Sequence, residues 1–68
     1  MPSEVRFAVV RRMLLDAAWT LRRVSGSHHI FTRAGSSPLS IPVHKNKVKP
    51  VYVEQIRKQI EEDQRPPA

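Results

Sequence analysis

The chain reads as an α+β domain of order α-β-β-β-α, a three-stranded antiparallel sheet with both helices packed on one face. Three observations point there. Apolar residues recur at helical spacing near both ends of the chain, and strand-like runs with alternating faces fill the middle. The connections between those runs are short, which favours an antiparallel meander. Sixty-eight residues make one domain at most, expected over residues 1–64. The polar, proline-rich tail, residues 65–68, is expected to fray. A core this small leaves a net stability of only ~3–5 kcal/mol unless something staples it.

The first helix is expected from Ser3 to Ala18, with the Ser3 hydroxyl capping a free N–H of the first turn. Phe7, Val10, Leu14 and Ala17 form its core stripe, with Met13 beside it, while Arg6, Arg11 and Arg12 fall off that stripe. Asp16 meets the unfavourable end of the helix dipole. No glycine stands at 17 or 18 to take a left-handed cap, so this end is expected to be loosely defined.

Three strand-like runs follow: Trp19 to Ser25, closed by Gly26; His28 to Arg33, followed by the turn cluster Ala34-Gly35-Ser36-Ser37-Pro38; and Leu39 to Val43. In the third, Leu39, Ile41 and Val43 share one face. Pro42 cannot donate to a ladder, which places this strand at the sheet edge. Residues 44–49 read as a basic loop. Pro50 then suits the first turn of a last helix, about Pro50 to Asp63, with Val53, Ile56 and Ile60 as its stripe. Glu54 and Lys58 are spaced as an ion pair along that helix. Leu21, Phe31, Leu39, Ile41 and Val43 are expected to pack on Val10, Leu14, Ile56 and Ile60. Trp19 belongs with that core rather than to a base-stacking surface.

Composition narrows the chemistry. There is no cysteine, so disulfides and thiolate metal sites are excluded. No stretch approaches the ~20 apolar residues of a membrane span, and Arg11, Arg12 and Asp16 break the only run that could mimic a signal peptide. A cytoplasmic protein with no membrane partner is expected. Twelve Lys and Arg against six Asp and Glu give a net charge of +6. That excess marks an anionic partner, nucleic acid or an acidic protein, unless it serves solubility alone.

The candidate chemistry lies in Gly26-Ser27-His28-His29-Ile30-Phe31. Imidazole, with an unperturbed pKa of ~6.5, gives and takes protons near neutrality. Placing Phe31 inward takes His29 inward too and leaves His28, Ile30 and Thr32 on the open face, where His44 also falls by parity. His29 is expected to be a partly buried ring bonded to backbone. His44 is left between a substrate contact and a structural hydrogen bond, and Tyr52 between base stacking and helix packing. Gly26 is either a plain turn glycine or, with Ser27, a source of N–H groups for a phosphate. Adjacent strand residues point to opposite faces, and no carboxylate is close in sequence, so the three histidines are not expected to hold a metal. No cofactor is expected. Proton-transfer groups on a basic surface suit a polyanion, and RNA is the obvious one. The arrangement matches the double-stranded-RNA-binding-domain architecture, which reads RNA through phosphates and 2′-hydroxyls.

The runs Trp19-Thr20-Leu21-Arg22-Arg23-Val24-Ser25-Gly26-Ser27-His28-His29-Ile30-Phe31, Ile41-Pro42-Val43-His44 and Lys49-Pro50-Val51-Tyr52-Val53-Glu54-Gln55-Ile56-Arg57-Lys58 together resemble the HicA toxin family. The resemblance spans about Val5 to Ile60. It implies an mRNA interferase, an RNA endonuclease of a type II toxin–antitoxin module, neutralised by an acidic HicB-type antitoxin. It carries the family's catalytic histidine to His28, its glycine to Gly26 and its Pro-x-His histidine to His44. The free toxin is expected to be a monomer. Cleavage without metal is expected, with Arg22, Arg23, Lys45, Lys47 and Lys49 binding phosphates. This chain departs from the family at Ala18 and Lys45, where relatives usually or often carry glycine. The alternatives are a non-catalytic RNA- or DNA-binding module of the same fold and a protein-interaction domain for an acidic partner.

Overall fold

The computed structural model describes residues 3–66. Its elements are β1 (Val5–Arg6), α1 (Phe7–Asp16), β2 (Thr20–Ser25), β3 (His28–Thr32), β4 (Leu39–Pro42), β5 (Lys47–Val48) and α2 (Pro50–Asp63). Strands β2, β3 and β4 form the expected antiparallel sheet with β3 central, and Pro42 lies on an edge strand. Val10 and Leu14 of α1, Ile56 of α2, and Phe31 and Ile41 of the sheet belong to one buried cluster. Both helices therefore cover the same sheet face. Leu21, Leu39, Val43 and Ile60 pack at its edge, partly buried. Of the tail expected to fray, Pro67 and Ala68 lie outside the described residues.

The first helix starts later than the sequence suggests. Val5 and Arg6 are extended and pair with Val48 and Lys47 as a separate antiparallel ribbon. Arg6 is the N-cap of α1 and no side chain caps it. Ser3 is not the cap, because the ribbon supplies what it would have offered. The Phe7 N–H donates to the Asn46 carbonyl at 2.8 Å, and the Val5–Val48 pair brings Val48 fully into the core. A ribbon of two residues per strand has no readable period, so residues 44–49 looked like loop.

The other end of α1 is sharply closed, contrary to expectation. The Trp19 N–H donates to Leu14 O at 2.9 Å and the Ala18 N–H to Leu15 O at 3.2 Å. These are the two bonds of a Schellman cap. The cap demands a left-handed residue, and Ala18 takes it at φ 70°. Trp19 and Leu14, the apolar pair that accompanies such a cap, are both fully buried. Lys45 and Asn46, at φ 51° and 65°, form a second left-handed site. They are the central pair of a tight turn in which His44 and Lys47 exchange backbone hydrogen bonds at 2.9 Å, the type I′ geometry. Both positions where this chain departs from the family's glycines are thus left-handed.

One polar clamp ties the start of β2 to the end of α2. The Trp19 Nε1–H donates to Asp63 Oδ2 at 2.8 Å, and Gln59 Nε2 donates to Oδ1 at 2.9 Å. Arg33 lies 3.8 Å from the same carboxylate, whose side chain is only 7 % exposed. On the surface of α2, Glu54 pairs with Arg57 rather than with Lys58, at 3.1 Å. Such exposed pairs contribute little.

Candidate functional site

The site begins with a two-residue hairpin loop. Ser25 and His28 are the last pair joining β2 to β3, so Gly26 and Ser27 make the turn. Gly26 has φ 59° and Ser27 is not left-handed. Positive φ at the first central residue alone is the type II′ pattern, which calls for glycine there. This geometry calls for glycine at position 26. The Val43 N–H donates to the Ser27 carbonyl at 2.7 Å, fastening this loop to the chain leaving β4.

His28 follows directly and is exposed. It stands in register with Ser25 on one side and Pro42 on the other, on the sheet face away from Phe31. Its ring has no hydrogen-bond partner among the described residues. Arg22 is the extra residue of a β-bulge between Leu21 and Arg23. The bulge shifts the parity of β2, so Arg23 stands opposite Ile30 on the His28 face. Strict alternation would have turned Arg23 inward; the bulge re-aims it.

His44 sits on the next loop. It lines a cavity of about 210 Å³ together with Ser27, Pro42, Lys47, Lys49 and Tyr52. Pro42 joins this cavity to His28, whose register partner it is. His28 itself lines the open face rather than the cavity. The His44 ring has no side-chain hydrogen bond among the described residues. Tyr52 packs against the core, as the helix-packing reading expects, and also lines the cavity. Trp19 is core.

His29 faces inward as expected, but not as a backbone-bonded ring. Its Nδ1 is buried without a partner. Packing holds it instead: its ring centroid lies 4.4 Å from that of Phe7, tilted by 50°.

Lys45 is not in the His44 cavity. It lines a second one, of about 400 Å³, with Arg6, Phe7, Arg11 and Lys47. Arg6 and Arg11 were expected only as residues off the helix stripe. The pattern Val5-Arg6 against Lys47-Val48 would have placed Arg6, had two residues sufficed to mark a strand. Among the described residues, no three His, Cys, Asp or Glu side chains are grouped as metal ligands must be. No helix there is long and apolar enough to cross a membrane.

Fold and site define a small, basic α+β domain with a solvent-facing histidine beside a cationic cavity. The family model described as HicA toxin of bacterial toxin–antitoxin systems matches residues 9–61. The chain belongs to that family, and so is the toxin of a toxin–antitoxin pair with an antitoxin for its partner. No curated protein matches it.

Proposed function

We propose that this toxin is an mRNA interferase that cuts RNA by transesterification, with His28 as its proton-transfer group. The observation that carries the reading is the placement of His28. It is exposed at the mouth of a glycine turn, next to a strand whose end lines a cavity holding His44, Lys47 and Lys49. A phosphodiester laid across Pro42 would meet the imidazole on one side and cations on the other.

In this reading the RNA's own 2′-hydroxyl attacks the adjacent phosphorus, and the 5′ oxygen leaves. His28 takes the 2′ proton as base, or in its protonated form gives one to the leaving oxygen. One placed acid or base supplies ~10²–10⁴-fold. Lys47, Lys49 and the His44 ring hold the phosphate, with Arg23 on the opposite flank of His28 and Arg22 and Lys45 further out. Their charge opposes the negative charge that develops on the phosphoryl oxygens. No step calls for a metal. One strong proton-transfer group makes a slow enzyme, which suits a toxin that need cut each message only occasionally. An acidic, HicB-type antitoxin neutralises it by covering the open sheet face.

The test is induced expression of wild type and His28→Ala, with growth and message integrity followed together. His28→Ala should stay folded by circular dichroism, still bind RNA, and lose both toxicity and cleavage. A folded variant that still arrests growth would falsify the assignment. A non-catalytic binding module would lose little with this substitution.

A further inference from the structure

The cavity of Arg6, Arg11, Lys45 and Lys47 is a second cationic site, and three features set it apart from ordinary surface charge. First, the β1–β5 ribbon aligns Arg6 directly with Lys47. Like charges directly opposite each other destabilise a strand pair. The Val5–Val48 pair takes the core side, so the two cations share the outer one. Second, Lys45 occupies a left-handed position, φ 51°, in a turn type that favours Asn, Asp or Gly. Third, none of the four cations has an ion pair among the described residues. The carboxylates that do pair engage Arg12, Arg33, Arg57 and Arg65. No carboxylate lines the cavity, and Glu4, close in sequence, pairs with none of the four.

We propose that this cavity binds the sugar–phosphate backbone of the substrate RNA next to the phosphodiester that is cut. The inference rests on the RNA-cleaving reading above. Lys47 lines both this cavity and that of His44, so the two adjoin at one side chain. Phosphates recur regularly along a strand, and a lysine shared by neighbouring cavities matches two successive ones. An anion here would also relieve the Arg6–Lys47 repulsion that the free fold tolerates. Arg6 and Arg11 are thereby binding residues that position the strand across His28.

The test uses the full chain carrying His28→Ala, which leaves RNA uncut, and a labelled single-stranded RNA of mixed sequence. Affinity is measured across salt for this parent and with Arg6→Gln, Arg11→Gln, both together, and Arg12→Gln. Arg12 is the charge-matched control, on the same helix but paired with Asp16 at 3.3 Å. Each phosphate contact to a single strand contributes ~0.7 to the slope of log affinity against log salt, so the double variant should lose roughly 1.4. Its affinity should fall about tenfold or more at low salt, while Arg12→Gln changes neither quantity. Arg6→Gln should melt no lower than the parent, because it removes a like-charge pair. An unchanged slope in a folded double variant overturns the proposal. So does an equal loss with Arg12→Gln. If the parent binds no RNA, the RNA-cleaving reading fails along with it. If it binds with the expected slopes while a chain with His28 replaced still cuts, only the catalytic assignment fails.

Discussion

Two substitutions to glycine, Ala18→Gly and Lys45→Gly, should relieve the same backbone strain yet differ in their effect on function. Both residues are left-handed, at φ 70° and 51°. The left-handed region costs a residue with a Cβ roughly 1–2 kcal/mol. Glycine avoids that cost but gains unfolded-state entropy, which returns about 0.4–1 kcal/mol. The net expectation is about 0.5–1 kcal/mol of stabilisation at each position. In a domain of this size that raises the melting temperature by roughly 2–8 °C. For Ala18 the Schellman bonds at 2.9 and 3.2 Å stay in place, so only the strain changes. Ala18 precedes the Thr20 end of β2, whereas His28 pairs with Ser25 at the other end. Five strand steps separate those ends, roughly 17 Å. Ala18→Gly should therefore leave RNA cleavage intact. Lys45→Gly should stabilise comparably but weaken RNA binding, because it removes one cation from the second cavity. Urea unfolding gives the stability difference, and cleavage against RNA concentration separates binding from turnover. A lower midpoint for Ala18→Gly would refute the strain assigned there. A Lys45→Gly chain that is stabilised with unchanged RNA affinity would refute the role of that cation.

Asp63→Ala should cost about 2–4 kcal/mol, since it strands the buried Trp19 Nε1–H and leaves Arg33 without its carboxylate. Against ~3–5 kcal/mol in total this approaches unfolding, and a midpoint shift worth less than ~1 kcal/mol would refute the clamp's importance. RNA cleavage should persist in a chelator and weaken steeply with salt, because bound phosphates release counterions; activity abolished by chelator and restored by a divalent ion would overturn the metal-free step. Charge reversal at Lys47 and Lys49 should weaken both cleavage and neutralisation by the antitoxin, whereas reversal at the exposed Arg65 should do neither. A complex in which the antitoxin docks only on the helices, leaving His28 open, would contradict this.

The long periodic elements could be read directly. The second helix runs from Pro50 to Asp63 as its stripe and its first-turn proline indicate. The central sheet follows the alternation of Leu39, Ile41 and Phe31. Parity also placed His28 outward and His29 inward. What escaped lies below the length at which a period exists. Strands Val5–Arg6 and Lys47–Val48 have two residues each, and their partner choice is set by the core position of Val48. The bulge at Arg22 inserts one residue into an otherwise regular run, and nothing in Arg22-Arg23-Val24 marks which residue is extra. The closure of α1 escaped because it uses alanine where propensity calls for glycine. Asp63 looked like an ordinary helix end, since its partners are 30 and 44 residues away in sequence, at Arg33 and Trp19.

The distribution of charge supports the proposed anionic partner as the reason for the +6 excess. A charge that served solubility alone would be dispersed, with acids and bases interleaved over the surface. Here the paired carboxylates sit on the outer faces of the helices or at the Trp19 clamp, as Asp16 with Arg12, Glu54 with Arg57, Glu61 with Arg65 and Asp63 with Arg33. None lines either cavity. Lys45, Lys47, Lys49, Arg6 and Arg11 instead converge on two adjoining hollows, with a cross-strand cation pair and a left-handed lysine among them. The cation pair costs stability that an alanine at either position would not, and the left-handed lysine costs stability that a glycine would not. A domain with so small a core has little stability to give up. Their clustering in two adjoining hollows supports the proposed polyanion over solubility alone.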